Sequence, residues 1–126
     1  TDAGMAALVA AAEAEAQGAA AEHGLTLDVG YDDIFRHCEN DAEATAILAR
    51  AADANGIAVT PDGLPMRASE DFGRFGDTAR SAMLFLGAGE GQPPLHAPDY
   101  DFPDELIPLG AGVFLSVIEE TLGFAA

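Results

Sequence analysis

The residues best suited to chemistry sit in a loop near the C-terminal end, Pro94-Leu95-His96-Ala97-Pro98-Asp99-Tyr100-Asp101. The flanking prolines stiffen the backbone around His96. A neutral imidazole on a stiff loop is a good metal ligand, because little freedom is lost when it binds. The loop follows an apolar run and precedes a helical pattern, where α/β folds place their sites. A surface His that simply hydrogen-bonds a neighbouring carboxylate accounts for the same residues. One His is not a metal site, since zinc takes three or four protein ligands.

A second candidate is Glu70, beside Asp71, in Ala68-Ser69-Glu70-Asp71-Phe72. Adjacent acids at a helix start either face a ligand or belong to a cap led by Ser69. Asn40-Asp41 precedes a helical pattern and is at minimum an N-cap; spacing alone argues no substrate role for Asn40. His37-Cys38 has no partner Cys, and neighbours on an extended chain point opposite ways, so a zinc reading fails. Asp99 and Asp101 read as solvation of their loop, and His23-Gly24 as a helix terminus. Gly87-Ala88-Gly89-Glu90-Gly91 lacks the helix N-terminus and Lys of a phosphate loop and runs into Pro93-Pro94, which excludes nucleotide binding.

Composition limits the partners. The 126 residues carry 22 acidic against 5 basic side chains, all of the latter Arg, for a net charge of −17. Such a surface repels nucleic acid and anionic membranes. No apolar run approaches the ~20 residues of a membrane span. The single Cys permits no intramolecular disulfide and fits a reducing, cytoplasmic setting. Much of the 49% hydrophobic content is Ala, so the expected core is thin.

Several elements must position these residues. Asp2 to Gly18 reads as an Ala- and Glu-rich helix capped by Asp2. Leu25 to Tyr31 alternates with strand periodicity. Asp32 to Asn40 reads as a connection. Asp41 to Asn55 reads as a helix closed by Asn55-Gly56. Ile57 to Thr60 and Ser81 to Leu86 read as strands, Ser69 to Phe72 as the start of a short helix, and Pro103 onward as a last helix ended by Gly123. The order α-β-α-β-α-β-α predicts an α/β or α+β fold. The turn-rich stretch Pro61 to Pro65 marks a boundary between residues 1–60 and 61–126.

Three stretches occur together and in order: Met66-Arg67-Ala68-Ser69-Glu70-Asp71-Phe72, Leu84-Phe85-Leu86-Gly87-Ala88-Gly89, and Leu95-His96-Ala97-Pro98-Asp99-Tyr100-Asp101-Phe102. With Ile107-Pro108-Leu109-Gly110-Ala111 they resemble the C-terminal end of the metal-dependent amidohydrolases related to hippurate hydrolase, auxin-conjugate amidohydrolase and carboxypeptidase-type aminoacylases. Upstream, Ala14 to Ala20 and Glu39-Asn40-Asp41 resemble the second part of that family's lid, or dimerisation, domain.

The resemblance implies an incomplete two-domain, zinc-peptidase-like architecture: the end of an α+β lid over 1–60 and the end of an α/β catalytic domain over 61–126. It implies hydrolysis of the amide bond of N-acyl amino acids or small peptides by a pair of divalent metals, whether zinc, manganese, cobalt or nickel. His96 matches the family's last metal-binding His, Glu70 the acidic position of its Glu-Asp-Phe motif, and Asn40 a lid position near substrate. The implied partners are a second copy in a homodimer, or an N-terminal catalytic portion. That portion carries the family's His-x-Cys-Gly-His-Asp motif, Glu-Glu pair and further His, which have no counterpart in this sequence. The expectation is that this chain alone holds no metal pair and does not catalyse. The alternative is a non-catalytic interaction or dimerisation module, or a truncated remnant of such a hydrolase.

Overall fold

The computed structural model describes residues 1–68 and 70–123. Its regular elements are α1 (Asp2–Glu22), α2 (Ala42–Ala54), a 3-10 helix (Asp71–Asp77) and α3 (Leu106–Leu122). The α/β expectation is therefore corrected: among the described residues every regular element is helical and no strand forms. Leu25–Tyr31, Ile57–Thr60 and Ser81–Leu86 carry strand-like patterns but find no ladder partner. A strand is defined by a neighbour about 4.8 Å away that takes its N–H and C=O groups. Leu25 and Ile57 bond only back to the helices they follow, whereas 81–86 meets a backbone group distant in the chain, where the Asp41 N–H donates to the Ser81 carbonyl (2.8 Å). The Ser69 cap lies outside the described residues.

The chain divides into two compact units. The first comprises Thr1–Glu39 and Arg67–Thr78. Here α1 runs past the expected stop at Gly18, because a helix rich in Ala and Glu tolerates one glycine. Thr1, not Asp2, is its N-cap, accepting from the Gly4 N–H (3.1 Å). Gly24, at φ 64°, ends it: its N–H donates to Ala21 and that of Leu25 to Ala20, which closes the helix in a Schellman motif.

No residue of α1 is buried. Polar contacts fasten the helix to the following segment: the Tyr31 hydroxyl donates to Glu13, and Arg36 and His37 meet Asp2. Arg36 also pairs with Asp77 of the 3-10 helix, in which Phe72 and Phe75 pack with ring centroids 5.0 Å apart. Gly73 of that helix is required by its surroundings. A Cβ there would lie 2.5 Å from the His37 carbonyl oxygen.

The second unit comprises Asn40–Met66 and Ala79–Ala126 and, among the described residues, holds all the buried apolar side chains, Ala51 and Ala52 of α2 and Val113 of α3. The helices meet through small residues. A Cβ on Gly112 would lie 2.5 Å from Asn55 Oδ1. The Asn55 amide nitrogen donates both to the Ala51 carbonyl (2.8 Å) and to Ser116 Oγ (2.9 Å), tying the end of α2 to α3. An Arg50–Glu120 ion pair lies outside this contact. As expected, α2 is capped by Asp41, which accepts from the Ala44 N–H (2.9 Å), and closes at Asn55-Gly56. Gly56 is in the left-handed region at φ 71°.

Candidate functional site

His96 belongs to the second unit, on a loop between residue 86 and α3. The loop is a series of turns. The Gln92 N–H donates to the Gly89 carbonyl (3.3 Å), Ala97 to Pro94 (3.0 Å), and Tyr100 to Ala97 (3.0 Å). In the Pro94–Ala97 turn His96 is the third residue and has φ 70°, the positive value a type II turn demands there. Pro98 occupies the second position of the next turn, where its fixed φ is an advantage. The Gln92 side chain donates to the Asp101 carbonyl and bridges the two ends of the loop. The prolines that frame His96 in the sequence thus serve two consecutive turns.

Glycine adopts φ 70° freely, whereas a β-carbon raises the energy by about 1–2 kcal/mol. Non-glycine residues held in this region concentrate at functional sites. The imidazole itself is exposed. Beside it opens an apolar groove of about 710 Å³, lined among others by Leu86, Leu95, Tyr100, Phe102, Ile107 and Phe114. No carboxylate or basic side chain is among its lining residues, in a chain of net charge −17.

Glu70 lies in the first unit. It is the N-cap of the 3-10 helix, and its Oε1 accepts from the Phe72 N–H (3.3 Å). Asn40 lies in the second unit, one residue before the α2 cap. Its Nδ2 donates to the Met83 carbonyl (2.8 Å) and its Oδ1 accepts from the Met83 N–H (2.9 Å). His23 is the C-cap of α1, as its position before Gly24 suggested.

A cluster not anticipated from sequence surrounds Asp2. Its carboxylate accepts from the His37 backbone N–H (2.8 Å) and Arg36 Nε (2.8 Å), and His37 Nδ1 lies 2.9 Å away, off the axis a hydrogen bond needs. These contacts, the backbone N–H foremost, hold the Asp2 carboxyl well below the usual carboxylate range. Asp2 is separated from Arg36 by 34 positions, so no local pattern announces the contact. Cys38 is exposed and free.

Among the described residues no group of three or more His, Cys, Asp or Glu side chains converges to hold a metal ion. The residues present therefore do not fit a complete metal centre. Nor is any helix among the described residues long and apolar enough to cross a membrane.

Comparison with known proteins gives one result at the family level. Searches of curated proteins and of solved structures returned no match. The model of peptidase family M20/M25/M40 matches residues 2–120, nearly the whole chain. Peptidases of this family are generally metal-dependent. That match carries the decision on kinship, and the chain belongs to peptidase family M20/M25/M40.

Proposed function

We propose that this chain is the C-terminal part of a metal-dependent amidohydrolase that cleaves the amide bond of N-acyl amino acids or small peptides. In this reading 1–60 ends a lid or dimerisation domain and 61–126 ends a catalytic domain. The family match over residues 2–120 carries the proposal. The backbone of His96 supports it: a side chain kept where glycine fits better points to use of the imidazole. His96 then contributes one ligand to a centre for zinc, manganese, cobalt or nickel that residues outside this chain complete. Glu70 caps the 3-10 helix of the first unit.

One imidazole does not hold a catalytic metal, so in this reading the isolated chain does not turn over. An amidase assay on this chain with N-benzoylglycine and added divalent metal tests the inactivity. Turnover abolished by a chelator would overturn it. The same assay on the protein as its native source makes it tests the parent activity, and no metal-dependent cleavage there defeats the hydrolase reading.

The groove beside His96 favours a second reading, an interaction or dimerisation module without catalysis. Leu95, Ile107 and Phe114 are 68%, 58% and 61% exposed on it, and contiguous apolar surface of this kind marks association. Light scattering after gel filtration decides: a monomer that takes up no partner removes this reading.

A further inference from the structure

Asn40 stands immediately before the Asp41 cap of α2, and both polar groups of its side chain are paired with one residue. Nδ2 donates to the Met83 carbonyl at 2.8 Å, and Oδ1 accepts from the Met83 N–H at 2.9 Å. One residue on, the Asp41 N–H donates to the Ser81 carbonyl at 2.8 Å. A primary carboxamide carries the same donor and acceptor as a peptide group. Asn40 therefore satisfies both main-chain groups of Met83 as a neighbouring backbone would.

Met83 begins a path to the His96 loop. Three residues later Leu86 rests against α3, its Cδ2 3.7 Å from the Cβ position of Gly110. Leu86 and Leu95, the residue before His96, line the same groove. The segment 81–86 is thus pinned at one end by Asn40 and Asp41 and at the other by α3, and the loop bearing His96 departs from that pinned end.

We propose that Asn40 is a positioning residue: through Met83 it fixes segment 81–86 and with it the turn that carries His96. The purpose of this positioning rests on the function proposed above. The pairing itself does not.

Amide hydrogen exchange measured by NMR on this chain tests the proposal with Asn40→Ala and Asn40→Asp. Asn40→Ala is expected to speed exchange of the Met83 amide roughly tenfold, the effect of removing its hydrogen-bond partner. The Ala97 amide, which closes the His96 turn, speeds up with it, while the Val113 amide inside α3 keeps its rate. Asn40→Asp retains an acceptor for the Met83 N–H but offers its carbonyl no donor, so it falls between. An unchanged Met83 amide overturns the proposal. So does a faster Met83 with an unchanged Ala97, which would confine Asn40 to local pairing. If Asn40→Ala also accelerates Val113, the unit has opened as a whole, and the Asn40→Asp rates decide.

In the hydrolase as its source makes it, positioning predicts a lower kcat at constant KM, whereas substrate contact predicts a raised KM. A wild-type hydrolase without amidase activity would sink the function and leave the exchange rates to judge Asn40.

Discussion

Asn55 Oδ1 occupies the space that a β-carbon on Gly112 would need, 2.5 Å from that position. The Asn55 amide is meanwhile held by Ala51 and Ser116. In a helix interior Gly112→Ala alone would gain about 1 kcal/mol. Here it must displace Asn55 from two hydrogen bonds worth about 1 kcal/mol each. We expect Gly112→Ala to destabilise the wild-type chain and to stabilise the Asn55→Ala variant. Urea unfolding of the four proteins of the cycle measures this, and equal effects in both backgrounds would show that Asn55 does not set the glycine requirement.

Gly73 meets main chain instead of a side chain. A Cβ there would lie 2.5 Å from the His37 carbonyl oxygen and 3.1 Å from that of Arg36. Backbone yields less readily than a side-chain tip, so Gly73→Ala should cost about 1–3 kcal/mol. Protease cleavage between residues 25 and 39 should rise in this variant. An unchanged cleavage rate would mean that the 3-10 helix does not hold this segment.

Asp2 links α1 to Arg36 and His37, and its carboxyl titrates below the usual range. A carboxyl whose folded pKa is depressed contributes stability that is present above its unfolded value of about 3.9 and lost as pH falls through and below it. The contribution is modest, because the pairs are exposed and screened. Asp2→Asn should therefore be less stable than wild type at pH 7, and the two should converge as pH falls below about 4. Thermal unfolding across this range provides the check. A gap that persists unchanged at pH 3 would assign the stability to something other than the ionised Asp2.

His96 at φ 70° makes an unusual stability prediction for a residue proposed to be functional. His96→Gly should stabilise the chain by about 1 kcal/mol or leave it unchanged, because glycine relieves the strained turn. The same change should remove metal-dependent cleavage from the complete hydrolase. Denaturant unfolding reads the first effect and the amidase assay the second. A loss of stability of similar size would show that the imidazole is held for packing.

Much of the helical structure could be read along the chain. Asp41 and Asn55-Gly56 bracket α2 because capping joins side chains and backbone groups only a few residues apart. Gly24 and Gly123, both at positive φ, terminate α1 and α3 by the same local logic. Gly18 misled because a single glycine weakens a long Ala-rich helix without ending it. The site was legible only in part. The prolines marked His96 as the centre of a rigid loop, but its left-handed backbone came from the turn hydrogen bond between Ala97 and Pro94.

The sequence by itself determined α2 with its caps, the acidic surface and the stiff His96 loop, because each depends on neighbours along the chain or on composition. Only the tertiary structure decided that Leu25–Tyr31 and Ser81–Leu86 remain outside any sheet, that Asn40 pairs with Met83, and that Asp2 meets Arg36 and His37. Alternating apolar residues make a segment competent to be a strand, but a strand forms only where another backbone comes alongside. Which distant groups meet is set by how the units fold up, and periodicity along the chain does not encode it.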